Sequence, residues 1–352
     1  MSMSEVDDIH SSFKVYFSTV VRSAPQQQGG EIVLVDWNSK TVEAKHPIIP
    51  GNPELVDPNP RGNTRGGRGI DFLGDEVIVA NYHTLQIFDH KLHHVRDVSH
   101  PLLVGLHEIF SNGDGQVWAS STAIDAVLGI DIKNGIAFHQ YWPREMSGFQ
   151  RELNLVPLEI DKSNDNRTKF LEKKYTQHPS HLHLNAVANW GGEIYGLFHS
   201  FGVIANLDKG KIAIQDKSLH QPHNLLIEED GTAIVNNTND YAVHIYDLKA
   251  RKLNRTIKLT KFGLVRRLLL QHQPNYLARG FLKKFFIPHL SAPRPVFLRG
   301  LDKIGNCLFV GISPSTILCI DFRSGKLLDF FTYINKVNVC VHGLKVLVER
   351  KY

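Results

Sequence analysis

Short apolar strings that end in Asp and run into a turn of Lys, Asn, Ser or Gly recur along this chain. They read IVLVDWNSK at Asp36, LQIFDHK at Asp89, VLGIDIKNG at Asp131, VIANLDKG at Asp208, VHIYDLKA at Asp247 and ILCIDFRSG at Asp321. Each is followed by a further short strand, such as TVEAKHPI, IAFHQYW or KLLDFFTY. An Asp placed there accepts backbone N–H bonds in a hairpin turn, so its recurrence has a structural cause. Upstream lies a second unit: a polar residue, an aliphatic one, a turn, then another apolar strand. Its copies are RGIDFLGDEVIVAN from Arg68, HEIFSNGDGQVWASS from His107, NAVANWGGEIYGLFH from Asn185, HNLLIEEDGTAIVNN from His223 and RGLDKIGNCLFVGIS from Arg299. A sixth start, HGLKVLVERKY, begins at His342. The turns inside these copies have hairpin chemistry.

Four short strands per unit and six marker residues predict an all-β fold, a six-bladed β-propeller formed by residues 1–352 as one domain. The His342 segment supplies the inner strand of a blade whose other three are FKVYFSTVV, EIVLVDWN and TVEAKHPI. The N- and C-terminal strands thereby close the ring and protect its edges. Markers are spaced 39 from Arg68 to His107, 38 from Asn185 to His223 and 43 from Arg299 to His342, but 78 from His107 to Asn185 and 76 from His223 to Arg299. Neither long gap holds another Asp-terminated strand, so 143–180 and 258–297 are expected to be insertions. The first is charged and polar; the second reads as helix, Pro-bearing break, helix. Both fall between an outer strand and the next inner strand, which makes them caps over one end of the ring. Long loops on a rigid scaffold are a usual place for function.

The chain has 352 residues, 42% hydrophobic, with a formal charge of +5. That excess is too small to argue for nucleic acid, and no nucleic-acid-binding motif is present. The three cysteines, Cys307, Cys319 and Cys340, form no CxxC, which suggests a reduced, cytoplasmic setting. The first residues, MSMSEVDDIHSS, are acidic and polar, unlike a secretory signal. No apolar run is long enough for a spanning helix.

Inner strands converge on the central channel, so Arg68, His107, Asn185, His223, Arg299 and His342 are expected to ring its mouth. In HLHLNAVANW, strand periodicity would put His181 and His183 on the face of Asn185, one step nearer the caps. The plain reading is a wet channel lined by polar side chains. The set contains three His, two Arg, one Asn and no carboxylate, however, and such a mouth favours a small anion. Arg68 and Arg299 are the candidate anion clamps. Asn185, His342 and His181 are further ligand-binding candidates. His107, His183 and His223 are the candidate catalytic residues, as acid–base groups or as ligands to one divalent transition metal. If the protein is an enzyme, a His-dependent lyase, hydrolase or oxidoreductase follows. No GxSxG, HExxH, Walker or dinucleotide motif occurs, and NTRGGRG at 63–69 opens a strand rather than a helix.

Residues 258–290 offer the alternative. Lys258, Lys261, Arg266, Arg267, Arg279, Lys283 and Lys284 alternate with apolar side chains and no acid. A basic amphipathic pair of helices suits peripheral contact with an anionic membrane, or docking of a protein partner without catalysis. The plainer reading packs its apolar face on the propeller.

The HLN start at 183–185, the PH start at 222–223 and the RGL start at 299–301 resemble the inner-strand motifs of a poorly characterised bacterial-type six-bladed propeller family. The resemblance covers about residues 180–325. It implies a distant relation to NHL-repeat and gluconolactonase-like propellers and no settled activity. Gluconolactonase-like enzymes hold a divalent cation with Glu, Asn and Asp. This chain has Arg or His at most equivalent markers, and Asn185 alone fits that pattern.

Overall fold

The computed structural model describes residues 12–49, 51, 66–167, 177–273 and 296–349. Twenty-four strands form six four-stranded antiparallel sheets in a ring, a six-bladed β-propeller. In the first blade lie β1 (Ser12–Val21), β2 (Glu31–Asp36) and β3 (Thr41–Pro47). The second contains β4 (Ile70–Leu73), β5 (Glu76–Ala80), β6 (Thr84–Asp89) and β7 (His94–Ser99). The third contains β8 (Leu106–Ser111), β9 (Gln116–Ser121), β10 (Ala126–Asp131) and β11 (Ile136–Tyr141). The fourth contains β12 (Leu184–Trp190), β13 (Glu193–Phe198), β14 (Val203–Asn206) and β15 (Lys211–Gln215). The fifth contains β16 (Pro222–Ile227), β17 (Thr232–Asn237), β18 (Ala242–Asp247) and β19 (Lys252–Lys258). The sixth contains β20 (Leu298–Ile304), β21 (Cys307–Ile312), β22 (Thr316–Asp321) and β23 (Leu327–Thr332). Finally β24 (Val339–Glu349) returns to pair with β1 and completes the first blade.

Hydrophobic patterning explains the layering. The second and third strands of each blade are buried on both faces, and their runs, such as EVIVA and ILCID, are nearly continuous in apolar residues. Outer strands face solvent on one side, so β23 alternates between half-buried and exposed positions. The cores lie between blades: Ile78 and Ile87 of the second pack with Leu106 and Leu128 of the third. Each such fully buried side chain stabilises the ring by roughly 1.5–3 kcal/mol.

The closing strand is held on three sides. Gly343 N–H donates to Ser18 Oγ at 2.9 Å, Val346 N–H donates to Asp302 Oδ2 at 2.7 Å, and Lys345 Nζ lies 3.1 Å from Asp71 Oδ1. A Cβ on Gly343 would fall 2.1 Å from the Arg68 carbonyl oxygen, so only glycine lets these inner strands approach so closely.

The Asp-ended strands cap their turns as expected at Asp36, Asp89, Asp131, Asp247 and Asp321. Asp208 does not. In the fourth blade β14 ends two residues sooner, and Asn206 Oδ1 accepts the turn amide of Lys209 instead. Asp208 Oδ2 accepts the Ile194 N–H in the neighbouring strand.

Both insertions leave from the end of the ring where inner strands begin. The first carries a short helix, α1 (Ser147–Leu153), which its polar composition did not reveal; Phe149 and Leu153 bury against the fourth blade. The second carries α2 (Gly263–His272). Val265, Leu268 and Leu269 of α2 pack onto Val243 and Leu259, while Arg266 and Arg267 face solvent. The plainer reading therefore holds for this helix. Arg279, Lys283, Lys284 and the expected second helix lie outside the described residues, as do residues 1–11, 63–65 and 168–176. Among the described residues no helix is long and apolar enough to cross a membrane.

Candidate site at the channel mouth

A β-bulge marks the start of five inner strands. The register shifts between Leu106 and Ile109, Leu184 and Ala186, His223 and Leu225, and Leu298 and Leu301, and on β24 opposite Phe17 and Thr19. Each bulge contains or adjoins a marker residue. Bulges re-aim side chains, and here they turn consecutive residues towards the channel. That is why Glu108, next to His107, also lies inside, where strand alternation would have sent it away.

Arg68, His107, His223, Arg299 and His342 meet at the mouth. The His107 ring lies 5.5 Å from that of His342 and 6.4 Å from that of His223. His183 joins them, 5.3 Å from His107. Its route differs from the strand-face argument. His183 precedes β12 and has a left-handed backbone, φ +51°, so period two does not relate it to Asn185. Buried Asp125 sets that bend by accepting the N–H groups of Leu182 and His183, both at 3.0 Å. His181 sits behind His183, with Nε2 donating to Thr122 O at 3.0 Å, so it buttresses the ring rather than lining it. Asn185 occupies the marker slot, but its amide donates to Pro222 O of the next blade at 2.9 Å.

Two members were absent from the sequence reading. His199, on the turn after β13, lies 4.6 Å from His183 and 5.3 Å from His223 by ring centres. Antiparallel order returns β13 to the mouth end, and that was the signal available for it. The guanidinium of Arg22 lies 4.1 Å from the centre of the Phe297 ring, and that of Arg299 lies 5.0 Å from the same ring, which adds a third guanidinium near the mouth.

The hydrogen bonds define the charge state. Arg299 Nη2 donates to His223 Nε2 at 3.0 Å, while His223 Nδ1 is 3.0 Å from Gln221 O. Arg68 Nη1 donates to His107 Nε2 at 3.1 Å, and His107 Nδ1 is 3.2 Å from Gly105 O. Both imidazoles are thus fixed as neutral Nδ1–H tautomers. Burial, then the neighbouring arginines and histidines, holds His107, His183, His223 and His342 well below the usual histidine range, with His183 affected most, after burial, by His199. His199 falls to about 4 for the same leading cause. Burial, then Arg68, lowers Arg299 to about 9.

One level down, the mouth is not free of carboxylates. Glu108 Oε1 accepts from Asn224 Nδ2 at 2.8 Å, and burial pushes Glu108 up to about 8 against the pull of Lys345 and Arg299. Beside it, Lys345 is raised by Asp71 and Asp302, which outweigh its burial. The channel therefore has a basic upper storey and a mixed lower one.

Metal ligation was the alternative role for His107, His183 and His223. Among the described residues no group of His, Cys, Asp or Glu is arranged to hold a metal ion. The Nε2 lone pairs of His107 and His223 already meet guanidinium donors, and two nearby arginines oppose a cation.

Comparison with known proteins reaches the fold only. A protein of unknown function from Bacteroides caccae superposes with a TM-score of 0.58 at 9% identity, covering 96% of this chain and 99% of that one. A nidogen/laminin complex gives 0.53 at 9% identity, covering 95% and 98%. No family model and no curated protein matches the chain. What these likenesses carry, at such identity, is the architecture of the six-bladed ring.

Proposed function

We propose that the protein binds a small organic or inorganic anion at the channel mouth. Arg299 and Arg68 are its principal donors, surrounded by the imidazoles of His107, His183, His199, His223 and His342. The observation that supports this most is a concentration of unsatisfied polar atoms. Arg299 Nε, His199 Nδ1 and His342 Nδ1 are all buried without a hydrogen-bond partner among the described residues. Buried polar groups are almost always paired, so several orphans in one spot ask for a ligand that pairs them. Arg299 also has no ion pair among the described residues; its donor contact is to a neutral imidazole. An anion supplies the missing countercharge and gains charge-assisted hydrogen bonds.

The same site also holds a candidate acid for conversion of the bound ligand, because Glu108 keeps its proton near neutral pH. Isothermal titration of the protein with inorganic phosphate and with acetate tests the reading. Saturable binding that Arg299→Gln weakens at least tenfold is expected; no binding of either probe to the wild type would overturn it.

A further inference from the structure

A cleft of 420 Å³ opens at the same end of the ring, between the fourth and fifth blades. Its walls come from the turn after β13, the connection from β15 to β16, and the turn after β17, all of which reach the mouth by antiparallel order. Leu219 is buried in its wall, Phe201 is half-buried, and the rings of His199 and His220 also line it. Two residues belong to both cleft and ring. His199 stands with one side against His183 and His223. Gln221 lines the cleft while its carbonyl meets Nδ1–H of His223, the imidazole that faces Arg299. The cleft thus adjoins the basic mouth through His199 and Gln221.

The volume falls within the roughly 300–1,000 Å³ typical of small-molecule sites and far exceeds what a bare oxyanion needs. Its rim adds Lys217 and Asp216, the latter already committed to Ser218 and Tyr246. The Phe201 ring, with the imidazoles of His199 and His220 beside it, favours a flat body over a flexible one. Resting on the anion reading above, we infer that the ligand is a ring-bearing organic acid. Its carboxylate sits among Arg68, Arg299 and the imidazoles, and its flat body lies in the cleft against Phe201 and Leu219, with His199 at the junction.

Titration calorimetry with acetate and phenylacetate tests this on the intact protein, because the two acids share the carboxylate and differ in the ring. Phenylacetate is expected to bind about tenfold or more tighter than acetate. Phe201→Ala should draw that ratio down towards one. Ser200→Trp, which fills the cleft from an exposed turn residue, should do the same, and circular dichroism confirms that each variant is folded. Equal affinity for both acids in the wild type, or an unchanged ratio in the folded variants, would overturn the cleft assignment while leaving the anion site standing. Failure of acetate, phenylacetate and inorganic phosphate alike to bind would overturn both.

Discussion

Arg299 on β20 donates to the lone pair of His223 on the neighbouring β16, at 3.0 Å. A guanidinium next to a neutral imidazole keeps its full charge, because the imidazole offers a dipole and no countercharge. The His223 side is fixed by Gln221 O and by Thr238 Oγ1, 2.9 Å from Nδ1, so the ring cannot turn away. Arg299 therefore holds an unneutralised charge that the protein places at the mouth at a cost in stability.

Arg299→Gln should separate that cost from its use. Glutamine keeps an amide donor towards His223 and removes the charge that burial and Arg68 oppose. Without added anion, the thermal midpoint should stay level or rise. The upward shift that phosphate produces in the wild type should vanish. A variant that retains the full phosphate-induced shift in differential scanning fluorimetry would exclude Arg299 as a clamp.

Glu108 predicts a defined pH effect. Its folded value of about 8 lies above the ordinary 4.5, so between these limits the folded state holds a proton that the unfolded chain has lost. Its contribution is fully present below 4.5 and is lost as pH rises through 8, at up to about 1.4 kcal/mol per unit. The stability of wild type minus that of Glu108→Gln, from urea midpoints, should fall over that window and level above it. The histidines act in the opposite sense. Their folded values lie below 6.5, so the unfolded chain binds more protons there and stability drops as pH falls below 6.5. A difference curve flat from pH 5 to 8 would show that Glu108 is ionised in the folded protein.

The blade count, the ring closure and five of the six markers at the mouth were legible because each rests on a repeat whose period survives in three dimensions. What was not legible depends on breaks in that period. Strand alternation separates His107 from Glu108, but the bulge between Leu106 and Ile109 brings both inside. His183 reaches the site through a left-handed residue that Asp125 holds from another blade, and no local pattern announces such a partner. His199 sits in a turn, outside any repeat position. Asp208 shows the converse: a sequence match whose side chain was released from its turn when β14 shortened.

Asp125 should matter to the site although it never faces the channel. It is fully buried, accepts two backbone amides, and lies 3.6 Å from Arg144 and 3.5 Å from His181. Asp125→Asn tolerates the left-handed backbone at this position, φ +52°, but removes the charge and turns one of the two acceptors into an NH2 group facing a backbone N–H. The expected loss is on the order of 1–3 kcal/mol in urea unfolding. Phosphate affinity should weaken as well, because His183 loses its anchor. Unchanged affinity in a folded variant would mean that His183 contributes nothing to anion binding.

The helix α2 separates packing from docking. Leu268 is 6% exposed and joins the core of the fifth and sixth blades, whereas Leu270 is 53% exposed on the side of Arg266 and Arg267. Leu268→Ala should cost about 2–5 kcal/mol through the cavity it leaves. Leu270→Ala, and the pair Arg266→Glu and Arg267→Glu, should each stay within about 0.5 kcal/mol. If α2 instead served as an interfacial anchor, the order of effects would invert. Leu268 would be dispensable for stability, and the arginine pair would govern sedimentation with phosphatidylserine vesicles. Because Val265 and Leu269 share the buried face of Leu268, the apolar side of this helix is already spent on the propeller, and vesicle binding should be insensitive to the arginine pair.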